Sequence, residues 1–91
     1  MKSIEELREE IRQTDLQMAE LFQKRMESVR GVAAYKREKG LQVKDAGQEK
    51  KILERNVSLI RDEELRSYYL MFMQDVMDIS CKYQEHLISG S

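Results

Sequence analysis

The chain has 91 residues, with 16 Lys and Arg against 17 Asp and Glu, no proline and one cysteine. That length holds a single domain, taken as 1–91, with a thin core of its own. The net charge of -1 gives no bulk positive potential for nucleic acid, and no apolar run approaches the roughly 20 residues of a membrane span. Cys81 has no second cysteine to pair with, and one cysteine with one histidine argues against a structural zinc site. The polar, acidic stretch from Met1 to Glu10 is unlike a secretory signal, so the cytoplasm is the expected location.

A charged fraction of 36 % without proline suits long helices with solvated outer faces. The first helix is predicted from Ser3 to Lys39. Ser3 followed by Glu6 forms a capping box, and Gly40 is a suitable stop. Its seam reads Ile4, Leu7, Ile11, Thr14, Met18, Leu21, Arg25, Ser28, Val32 and Tyr35, in alternating steps of three and four. Nearly forty residues is long for a globular helix and favours a bundle or coiled coil. Gly31 inside it costs about 1 kcal/mol against alanine, and its missing side chain would let a neighbour approach.

Leu41 to Lys44 reads as a link. Asp45 is the expected cap of a second helix, with Gln48 completing the box, and that helix should reach Ile60 with Glu49, Leu53, Asn56 and Ile60 on one stripe. Arg61 to Glu63 reads as a turn. A third helix should run from Glu64 to Leu87 with the seam Met73, Met77, Ser80, Gln84 and Leu87. Ile88 to Ser91 reads as a frayed tail.

Polar groups stand on faces that should be buried: Arg25 and Lys36 in the first helix, Gln48 and Glu49 in the first turn of the second, Ser80 and Gln84 in the third. Lys36 lies about 16 Å beyond Arg25 and roughly 20° around the helix, so the two cations can converge on one point. No acid shares their seam, and a buried charge needs a partner. An external anion would supply one. Each residue also has a plainer reading. Arg25 and Lys36 could reach water along their stems, Ser80 could bond its own backbone, Gln84 could fix helix register, and Asp45 and Gln48 could simply cap. Together, on three elements, they fit a polar pocket inside a bundle better. Arg8 lies about 25 Å from Arg25 along a straight helix. It could return to such a pocket only from a second copy paired antiparallel across a two-fold axis.

These residues resemble the all-helical, AroQ-type chorismate mutases over essentially the whole chain. The matching features are Leu7-Arg8-Glu9-Glu10-Ile11 with Asp15, then Arg25, Lys36, Asp45-x-x-x-Glu49 and Ser80-x-x-x-Gln84. The resemblance implies an all-α fold of three-helix subunits, with a very long first helix, in an intertwined homodimer with two shared active sites. It implies rearrangement of chorismate to prephenate, in phenylalanine and tyrosine biosynthesis, with no cofactor and no metal. By the same resemblance, Arg25 and the partner subunit's Arg8 bind the two carboxylates, with Ser80 helping at the ring carboxylate. Lys36 serves a carboxylate and the ether oxygen, and Gln84 donates to that oxygen from the other side. Glu49 and the backbone at Asp45 hold the ring hydroxyl, while Val32, Met77 and Cys81 are pocket wall.

One position departs from the family pattern. Gln48 stands where these enzymes usually carry arginine, so the site loses a cation, and Lys44, Lys50 and Lys51 are the nearby replacements. Two rival readings are a lyase of the same fold that eliminates pyruvate from isochorismate, and a non-catalytic helical dimerisation module. The Asp45 and Glu49 pair favours the mutase over the lyase.

Overall fold

Local capping chemistry sets the element boundaries. The computed structural model describes residues 1–90 and contains α1 (Ile4–Lys39), α2 (Ala46–Val57) and α3 (Glu63–Ser89). Ser3 Oγ accepts the Glu6 N–H at 3.2 Å, Asp45 Oδ1 the Gln48 N–H at 3.0 Å, and Asp62 Oδ1 the Glu64 N–H at 3.0 Å. Each cap satisfies a donor that a first helical turn leaves without an intrahelical partner.

Gly40 ends α1 in the left-handed region, at φ 67 and ψ 30, and the Leu41 N–H returns to the Lys36 carbonyl at 2.9 Å. A Cβ at Gly40 would meet no atom within 4 Å, so only backbone conformation is at stake there. Gly40→Ala is expected to destabilise the fold by about 1 kcal/mol. Urea denaturation at a fixed protein concentration checks this, and an unchanged midpoint would mean that α1 can stop without the left-handed residue.

Three expected boundaries are corrected. α2 ends at Val57 rather than Ile60, because the Leu59 and Ile60 N–H groups turn back to the Asn56 and Val57 carbonyls in tight turns. Asp62 is the α3 cap, so Glu63 is already helical rather than part of the turn. Ile88 and Ser89 belong to α3 rather than to a frayed tail, and Gly90 caps them at φ 74. Ser91 lies outside the described residues.

α1 and α2 both pack on α3, and the core is small: Val29 and Ala33 from α1, Met73 and Met77 from α3, with Ser80 and Gln84 as its buried polar members. Arg30 Nε donates to the Tyr83 hydroxyl at 2.5 Å, a second tie between α1 and α3. Arg66 Nε donates to the Ile60 carbonyl at 2.8 Å and closes the α2–α3 turn. The expected α3 seam holds, and α2 turns Glu49, Leu53 and Asn56 inward to half-burial, with Ile60 half-buried beyond its end.

The α1 seam is shifted. The buried pair is Val29 and Ala33, whereas Ser28, Val32 and Tyr35 were expected inward and are exposed. A strict 3.5-residue repeat drifts by about 20° per heptad on a straight helix, roughly 80° over four heptads, which moves the contact one residue along. Gly31 is not a point of close approach within the chain, since a Cβ there would meet nothing within 4 Å.

The molecule measures 55 × 25 × 17 Å with a radius of gyration of 16.3 Å. A compact domain of this size would have about 12 Å. The excess is the first half of α1: every residue from Met1 to Lys24 is exposed, including Ile4, Leu7, Ile11, Met18, Leu21 and Phe22.

Candidate active site

Ten of the eleven sequence-predicted site residues come together. Arg25, Val32 and Lys36 of α1, Asp45, Gln48 and Glu49 at the start of α2, and Met77, Ser80, Cys81 and Gln84 of α3 line one cavity of about 210 Å³. Helical spacing produces the grouping. Met77, Ser80, Cys81 and Gln84 fall on one α3 face by steps of three and four. Lys36, one turn before the α1 terminus, faces the link that delivers α2. Arg8 is the exception: it is exposed on α1, seventeen residues before Arg25, and does not line the cavity.

The two cations are held without acids. Arg25 Nη1 donates to Ser80 Oγ at 2.5 Å, and Ser80 Oγ in turn donates to the Val76 carbonyl at 2.8 Å. Ser80 thus bonds its own backbone and also fixes the guanidinium across the helix interface. Lys36 Nζ donates to the Val43 carbonyl at 2.5 Å, tying the link to α1. An ammonium has three N–H donors, so that bond leaves capacity for an anion. Among the described residues neither Arg25 nor Lys36 forms an ion pair.

Gln84 lies at 6 % exposure, and its Oε1 has no hydrogen-bond partner among the described residues. A buried polar atom left unpaired costs about 1–3 kcal/mol, and such atoms concentrate where function requires them. Glu49 is differently placed. Its Oε1 accepts from Lys44 Nζ at 2.7 Å and from Gln74 Nε2 at 3.3 Å, while Oε2 faces the Cys81 thiol at 3.7 Å. The Lys44 ammonium, the dominant influence, holds the Glu49 carboxyl below its ordinary value, against the opposing effect of burial. Burial, then the charge of Glu49, push the Cys81 thiol up, so it stays protonated at neutral pH. Asp45 and Gln48 do form the expected cap, and both still line the cavity.

Such a lining can hold a polar, charged guest by fixed charges and hydrogen-bond donors. The cavity presents two cations, Arg25 and Lys36, two carboxylates, Asp45 and Glu49, and two neutral amides, Gln48 and Gln84, on an apolar wall.

Residues 7–85 match the family model for chorismate mutase type II. The chain belongs to the chorismate mutase type II family. No curated protein and no solved structure matches it. Chorismate mutase is an isomerase, and its all-α fold with a very long first helix agrees with the three helices here. No helix among the described residues is long and apolar enough to cross a membrane.

Several groups at this cavity were not singled out from sequence. Val29, Val43 and Ile52 also line it. Val29 could have been found by reading α1 with a 3.6-residue period, which puts Arg25, Val29 and Lys36 on one face. Gln74 left no sequence signal, because its role depends on how α2 lies against α3.

Proposed function

We propose that this cavity is the chorismate site and that it is completed by the partner subunit's Arg8 in a homodimer. The observation that carries the reading is the pair Arg25 and Lys36, two cations without acid partners facing one cavity beside the buried Gln84 amide. Arg25 takes one substrate carboxylate, and the partner's Arg8 the other. Lys36 reaches a carboxylate and the ether oxygen, Gln84 reaches that oxygen from α3, and Glu49 accepts the ring hydroxyl.

The rearrangement is unimolecular: the ether carbon–oxygen bond breaks as a carbon–carbon bond forms, with no atom gained or lost. The enzyme must therefore hold the dianion in its folded, reactive shape. It must also meet the negative charge that grows on the ether oxygen with donors already in place. Lowering the barrier by about 8 kcal/mol, the low end for enzymes, is within reach of two such donors at about 3–4 kcal/mol each with orientation added.

The homodimer is supported by the apolar surface left uncovered. Met18, Leu21 and Phe22 of α1 and Phe72, Val76 and Ile79 of α3 line an open apolar groove of about 620 Å³ at the level of Arg25. With Ile4, Leu7 and Ile11 beyond it, this is far more apolar helix face than one subunit covers. A second α1 laid antiparallel would cover it and bring Arg8 to the cavity.

Gln84→Glu tests the site. An amide donates at any pH, whereas a carboxyl donates only when protonated. The variant is expected to turn over chorismate mainly at acidic pH, while the wild type keeps a flatter profile. A mutant profile parallel to wild type would remove Gln84 from the reacting oxygen.

A further inference from the structure

Gln48 gives the cavity no cation at its position, and three lysines stand near it in the sequence, Lys44, Lys50 and Lys51. Lys50 Nζ lies 3.9 Å from Glu54 Oε1, with its side chain 78 % exposed, and Lys51 is exposed and does not line the cavity. Lys44 alone of the three reaches a cavity-lining group, Glu49 Oε1 at 2.7 Å.

Two consequences follow for Glu49. Its Oε1 is occupied twice, by Lys44 and by Gln74, and Gln74 is itself held by Asp78 Oδ1 at 3.0 Å. Its Oε2 has only the distant Cys81 thiol, a weak donor. The anchored oxygen and the available oxygen are therefore distinct. The second consequence is charge. The cavity-lining cations Arg25 and Lys36 are offset by Asp45 and Glu49, so the lining sums to zero where a dianion has to enter. Lys44 adds the positive charge that tips this balance.

We infer that Lys44 is a positioning residue for chorismate: it anchors Glu49 Oε1 so that Oε2 faces the substrate hydroxyl, and it neutralises the carboxylate that would otherwise repel the dianion. The inference rests on the assignment of Glu49 to that hydroxyl. Because Lys44 acts on binding rather than on the breaking bond, its removal separates KM from kcat.

The groups that act on Glu49 are Lys44 and, from α3, Gln74 and Cys81; Arg25, Lys36 and Asp45 share the cavity lining with it, and Asp78 acts on Lys44 and holds Gln74. Of these Lys44 lowers the Glu49 carboxyl most. Without it the carboxyl would ionise at higher pH, and the acid limb of kcat/KM would move up.

The test is kinetics of Lys44→Met, Lys44→Arg and Glu49→Ala on the full chain, at two ionic strengths and across pH. In Lys44→Met, KM is expected to rise about two- to fivefold, as for loss of one partly exposed charge contact, with kcat within about twofold. The KM gap should narrow at high salt, the acid limb should move to higher pH, and Lys44→Arg should restore KM. Wild-type KM and acid limb in Lys44→Met, beside a raised KM in Glu49→Ala, would overturn the role of Lys44 and leave Glu49 in place. Wild-type kinetics in Glu49→Ala would remove Glu49 from the site, and the inference with it.

Discussion

Lys36→Ala is expected to lower kcat for chorismate by about a thousandfold, the upper end for loss of one preorganised donor to developing negative charge. KM should rise as well, since the proposed site also sets this ammonium against a substrate carboxylate. Lys36 is half-buried on the α1 face that carries Arg25, and its ammonium donates to the Val43 carbonyl. A purely structural role is the competing account: Lys36 ties the link to α1, and its loss would loosen the start of α2. That account lowers the melting temperature and raises KM while leaving kcat near wild type. Steady-state kinetics, with kcat and KM separated, and a melting curve on the same preparation decide between them. Wild-type kcat in Lys36→Ala would take Lys36 out of the chemistry.

How far the sequence disclosed this site depends on the range of the interaction that places each residue. The caps at Ser3 and Asp45 and the stop at Gly40 are local chemistry, and they stand where the sequence put them. The α3 seam was legible because Met73, Met77, Ser80 and Gln84 span too few residues for period drift to matter. The α1 seam was not, since the same 3.5-residue count carried over four heptads slid from the Val29 and Ala33 face to Ser28 and Val32. Arg25 and Lys36 survived the slip because long side chains at the edge of a face still reach its centre. The end of α2 was misread because its stripe continues through Ile60 although the hydrogen bonding has already tightened at Val57. The work of Lys44 and Gln74 was beyond the sequence altogether. Neither spacing nor type marks them, and only the placement of the link and α2 against α3 sets them on one carboxylate oxygen.

On the proposed homodimer, in which each active site draws on both chains, mixing two dead enzymes is expected to restore activity. Arg8 lies too far from Arg25 on α1 to serve its own subunit's cavity, and among the residues around it nothing is buried. Arg8→Ala and Arg25→Ala should each be nearly inactive as homodimers. Refolded together in equal amounts, about half of the dimers should be mixed by random pairing of two-fold partners. In a mixed dimer one site takes Arg25 from the Arg8→Ala chain and Arg8 from the Arg25→Ala chain, so it is whole, and the other carries both lesions. Activity should return to about a quarter of wild type, from half of the dimers and half of their sites. Refolding is required because subunits whose cores interlock do not exchange readily while folded. Mass spectrometry under native conditions would confirm that mixed dimers form. With them present, activity no greater than the sum of the two separate variants would mean that Arg8 acts within its own chain or not at all. The antiparallel pairing that brings it to the cavity would then be wrong.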